Sequence, residues 1–193
     1  MIQKLRIENR ESSLYLQKVR YNESQVAMAE LKRLHKDAIP AALEKAERYR
    51  LLNEPGEAES ICLDILAVDP DNQRAVITLL LAFTDRFEKG YGVSETQTKE
   101  LLGRLKSEYE RAYYSGIIAE RRAKTKLRQH TPGCRFQAYD LLREAMDWFE
   151  KAEPLSPTGH DDAILRWNTC ARIIERNKLV AREEEERIEL PLE

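Results

Sequence analysis

The chain has 193 residues, 42% hydrophobic and 34% charged, with only 7 glycines and 7 prolines. That length supports one domain with a real core, and the balance favours amphipathic helices over a sheet protein, which needs more turns and β-branched runs. The 32 basic and 34 acidic residues leave a net charge of −2, so no global basicity points to nucleic acid. The apolar residues are periodic rather than sparse, which argues against disorder of the whole chain.

The three cysteines, Cys62, Cys134 and Cys170, are odd in number and widely spaced. They fit a reducing compartment and form no metal-type cluster. The first residues, MIQKLRIENRESS, lack the apolar stretch of a signal peptide. No run reaches the ~18 apolar residues of a membrane span. The expectation is a cytoplasmic protein away from membranes.

Along the chain, residues 1–12 are polar and read as a flexible N-terminus. From Ser13 to His35, Leu16, Val19, Ala27, Leu31 and Leu34 fall at helical spacings, with a possible break at Tyr21–Ser24 and Ser24 as a cap. Asp37-Ala-Ile-Pro40 opens the next helix, which carries Leu43, Ala46 and Tyr49. Asn53-Glu-Pro-Gly56 is a turn, and Glu57 to Val68 is a partner helix stopped at Asp69-Pro70. So short a loop makes the two helices antiparallel neighbours.

Gln73 to Glu88 is a strongly apolar helix; Lys89–Val93 is a loop, and Ser94 with Gln97 reads as a capping box for a helix ending near Leu105. Glu108 to Arg128 is a long helix with Tyr113, Tyr114, Ile117, Ile118 and Ala119. A turn at His130–Gly133 leaves Cys134 in a loop, open to solvent, before a helix from Gln137 to Glu153. Asp161 or Asp162 caps a last helix, Ala163 to Lys178, and from Leu179 the apolar rhythm gives way to an acidic tail, 179–193.

One pattern occurs twice. Ala145, Phe149, Ala152 and Pro157 read small, large, small, proline; Ala58, Cys62, Ile65 and Pro70 repeat the spacing with looser residues. Small residues let two helices approach, the large one fills the gap, and proline ends the helix. This resembles the second helix of a tetratricopeptide repeat (TPR), a helix-turn-helix unit of about 34 residues. Ala46 lies twelve residues before Ala58, as the family places its two close-contact residues. Ala145 follows Ala58 by 87 residues, two periods plus 19, which longer helices and loops between Phe87 and Phe136 can hold. The separation of Ala119 from Ala145 calls for an enlarged loop in the last hairpin.

The resemblance implies an all-α, right-handed superhelix with an N-terminal helix, units at 39–72, 73–106 and 107–157, and a capping helix at 161–178. It also implies a concave groove that binds a polypeptide. The family's clamp for acidic chaperone tails does not show, because Leu43 and Glu47 stand where it needs Lys and Asn.

No residue-level signal points to catalysis, a cofactor or a metal. His160-Asp161 lacks the converging ligands of a metal site and reads as a turn before an N-cap. Cys62 and Cys170 read as packed. Arg121, Arg122, Lys124, Lys126, Arg128 and Arg135 form a basic segment, read first as a solvated face or one paired with the acidic tail, and second as a site for an acidic peptide or a phosphate backbone. In the last helix Ala163, Trp167, Cys170 and Ile174 form one stripe, read first as core, and Asn168 and Arg172 share another face. The reading is a non-enzymatic adaptor for a protein or peptide partner, with Tyr113, Arg121, Lys124, Trp167, Asn168 and Arg172 as candidate contacts. The alternatives are a homo-oligomerising module and a nucleic-acid accessory protein using 121–135.

Overall fold

The computed structural model describes residues 30–87, 95–129 and 131–182, with Glu95 as backbone only. Contacts divide the chain between Lys32 and Arg33, and every helix named below belongs to the second unit. Among the described residues all regular structure is helical: α1 (Ile39–Leu51), α2 (Pro55–Val68), α3 (Gln73–Asp85), α4 (Glu95–Arg104), α5 (Glu108–Arg128), α6 (Cys134–Ala152) and α7 (Asp162–Asn177). Short 3-10 turns, Lys36–Ala38 and Glu153–Leu155, precede α1 and follow α6. No described helix is long and apolar enough to cross a membrane.

Local chemistry sets the helix ends. Pro40 and Pro55 sit in first turns, where a missing N–H costs nothing. Asn72 Oδ1 accepts from Ala75 N at 3.0 Å, and Ser107 Oγ from Glu110 N at 3.3 Å, so each cap satisfies an orphan donor. After α1, Asn53 turns left-handed (φ 62°), Glu54 N reaches Tyr49 O at 2.9 Å, and Asn53 N reaches Arg50 O at 3.0 Å. Lys178 does the same after α7 (φ 49°), with Leu179 N on Ile174 O and Lys178 N on Glu175 O, both at 3.0 Å. Both are Schellman closures made without glycine.

Consecutive helices pack on one another, and α1 also touches α3, as α3 touches α5. The repeated pattern is core: Ala58, Cys62 and Ile65 are fully buried, and so are Ala145, Phe149 and Ala152 to within 1%. One apolar cluster draws on α1 to α4 with Ile118 of α5; a second draws on α5 to α7 with Leu179. Tyr114 packs against both and joins them. Helices α5 and α6 come close at Gly116, where an added Cβ would lie 2.5 Å from Phe149 Cε1. The ring therefore occupies the space that glycine leaves open.

Several expectations change. The enlargement of the last hairpin lies mostly in its helices: α5 and α6 have 21 and 19 residues, against 13 and 14 for α1 and α2, while the connection lengthens only from 52–54 to 129–133. Cys134 is the first residue of α6 and is 8% exposed, because Gly133 (φ 76°) turns the chain and the helix starts three residues before Gln137. Leu179 is core and not tail, since the closure after α7 folds it back. Of the expected helix from Ser13 to His35, residues 30–35 are not helical; the rest lies outside the described residues, as do Ser94 and residues 183–193 of the tail.

Candidate functional site: a face built by alternate helices

Helices α1, α3, α5 and α7 are joined directly by charged side chains. Arg50 Nε on α1 donates to Asp85 Oδ2, the last residue of α3, at 2.8 Å. Arg121 Nη1 on α5 donates to the other oxygen of Asp85 at 2.5 Å, to Leu81 O at 3.0 Å and to the Thr84 hydroxyl. Arg74 on α3 reaches Glu47 on α1 at 2.8 Å. Burial lowers the pKa of Arg121, and the neighbouring Asp85 charge opposes that loss.

The link from α5 to α7 runs through Glu120, which is 1% exposed. Its Oε1 accepts from Lys124 Nζ, one turn along α5, and from Arg166 Nη1 on α7 at 3.5 Å. Its Oε2 has no partner among the described residues. A carboxylate so buried is tolerated only beside cations, and removing one partner of such a pair costs about 3–5 kcal/mol. Burial works against the Arg166 charge, but Glu120 and Tyr113 more than offset it and its pKa is raised. Cys170 lies near this cluster; burial first, then Glu120, push its thiol up to about 12, with Lys124 and Arg166 opposing. Burial pushes Cys62 to about 12 as well. Such thiols stay protonated and are poor nucleophiles at neutral pH.

Beyond these links, α5 and α7 flank an open groove lined by Lys124, Thr169, Arg172, Ile173, Glu175 and Arg176. It brings together two of the six candidate contacts, Lys124 and Arg172. Asn168 is half-buried one turn before Arg172 and is not among the lining residues. Tyr113 belongs to an aromatic cluster, stacked on Tyr109 at 5.6 Å and tilted against Phe149 at 5.8 Å. Arg121 is committed to α3 through Asp85, Leu81 and Thr84. Trp167 turns towards α6, its indole N–H donating to Glu150 Oε1 at 2.9 Å. Arg135 bonds the backbone carbonyls of Asn177 and Lys178.

Sequence reasoning passed over Arg176 and Glu120. Arg176 follows Arg172 by four residues, so helical spacing alone puts them on one face. Glu120 stands four before Lys124, the favourable order for an ion pair along a helix. His160 is exposed in the turn before α7, its Nδ1 4.0 Å from Asp162 Oδ2. Among the described residues no three His, Cys, Asp or Glu side chains are placed to hold a metal.

Comparison with known proteins finds no family model that matches the chain, and no significantly similar curated protein or solved structure.

Proposed function

We propose that the protein is a non-enzymatic adaptor that holds another polypeptide. In this reading the chain is a right-handed TPR-like superhelix. Its units are α1–α2, α3–α4 and α5–α6, α7 is its cap, and the alternate helices line its concave side. The observation that carries the reading is the direct ion pairing of α1 to α3, α3 to α5 and α5 to α7. In an array of stacked hairpins the first helices are neighbours and share one surface. The open part of that surface, between α5 and α7, offers the polar and charged groups that fix a peptide's register, with Ile173 beneath them.

The test is affinity capture from native lysate, read by mass spectrometry, with the wild type beside a variant carrying Asn168→Ala and Arg172→Ala. A protein retained by the wild type and lost by an equally folded variant supports the reading. Equal recovery with both removes this face from the mechanism.

A second reading, self-association, draws on Leu155, Ile164 and Leu165, which are 45%, 38% and 61% exposed around the start of α7. Light scattering across a concentration series, with Leu165→Lys as control, separates the two; a strict monomer removes self-association. The nucleic-acid reading has less support, because Arg121, Lys124 and Arg135 of the basic segment are engaged within the chain.

A further inference from the structure

We propose that the groove between α5 and α7 is the docking site of the chain's own acidic segment, residues 183–193. Such docking requires only the groove and the segment, and would occur whether or not the chain is an adaptor.

The groove carries more positive charge than its surroundings satisfy. Arg172 and Arg176 are exposed, one turn apart on α7, and make no hydrogen bond or ion pair with any described residue. Lys124 faces them from α5, held in place by buried Glu120. Glu175 is the one acid in the lining, and Ile173, 6% exposed, supplies an apolar floor. The complementary ligand is acidic with apolar residues between the acids.

Residues 183–193, which lie outside the described residues, have that composition. They contain six glutamates and one arginine, with Ile188, Leu190 and Leu192 interspersed near Glu189. They also begin within reach of the groove. Arg182 is six residues after Arg176, so the two are no more than about 22 Å apart, and eleven further residues reach up to about 40 Å. An attached ligand is present at an effective concentration of the order of millimolar. Exposed ion pairs that are weak singly are therefore populated together.

The test uses the full chain with p-benzoylphenylalanine in place of Ile188, which leaves every glutamate intact. Irradiation should give adducts within one chain, mapped by mass spectrometry to 121–128 of α5 and 169–176 of α7. Arg172→Glu with Arg176→Glu should cut their yield at least about fivefold, from the loss of two exposed pairs. So should about 1 M salt, where the screening length falls to about 3 Å. Arg172→Gln with Arg176→Gln is the parallel variant should the reversal disturb folding. Adducts scattered over the surface and indifferent to both variants would overturn the proposal. So would adducts formed only between chains, since the occupant would then be a second copy.

Discussion

Consider Gly116→Ala in the middle of α5. On an exposed helix the exchange stabilises by about 1 kcal/mol, because glycine has more freedom to lose. Here the new methyl would meet three Phe149 ring atoms at 2.5, 2.8 and 2.8 Å. Clearing such a contact needs a shift of most of an ångström, and Phe149 is 1% exposed within the α5–α7 core. Overpacking costs about 1–3 kcal/mol, and a blocked ring belongs at the upper end. The net expectation is a loss of about 2 kcal/mol, or about 4–8 °C in melting temperature for a domain of this size. Gly103→Ala on α4 is the internal control, since nothing lies within 4 Å of its added methyl; it should stabilise by up to about 1 kcal/mol. Thermal melts and urea titrations of both variants decide the matter. If both raise the midpoint, the close approach of α5 and α6 is wrong. Phe149→Leu should restore part of the loss in the Gly116→Ala background, the coupling expected of residues in contact.

Asp85→Ala strands two arginines whose side chains are 17% and 24% exposed, and should cost about 2 kcal/mol; a urea midpoint shift worth under about 0.5 kcal/mol, the size of an ordinary surface substitution, would remove Asp85 as the joint. Lys178→Gly relieves a left-handed residue (φ 49°) and should stabilise by about 1 kcal/mol; a fall in melting temperature would refute the closure after α7. Burial raises the thiols of Cys62 and Cys170 from 9.0 to about 12 and the Tyr114 hydroxyl from 10.0 to about 12. The unfolded chain therefore loses these protons first, so stability is intact below pH 9 and falls as pH rises towards 12. Denaturant titrations across that range check the sign, and a flat profile would contradict burial of these groups.

Local signals made much of this fold legible in the sequence. Prolines at Pro40, Pro55 and Pro70 act within a turn of themselves, so helix ends could be read there. The small-large-small pattern was legible because its residues bury themselves on one helix face. Gly116 was not, since a mid-helix glycine reads as a propensity cost until the facing ring is seen. Arg121 read as one charge of a run, because its partner Asp85 is 36 residues away and no spacing rule connects them. Arg172 was noticed through its neighbour Asn168, whereas the groove selects Arg172 with Arg176 and with Lys124 from another helix.

The greater length of α5 has a consequence of its own. Arg121 grips Asp85 at the end of α3, so the seven residues 122–128 extend about 10 Å along α5 past that joint. Lys124, and with it one wall of the groove, lies on this overhang. A seven-residue excision is close to two turns and leaves a helix's remaining faces within about 20° of their former directions. Removing 122–128 from α5 and a matched seven from α6 would trim the last hairpin to nearly the size of the first, with Arg121 still gripping Asp85. The groove would vanish, and with it buried Ala123 and the Lys124 partner of Glu120. The face between α5 and α7 thus rests on helix length that the first hairpin does not have.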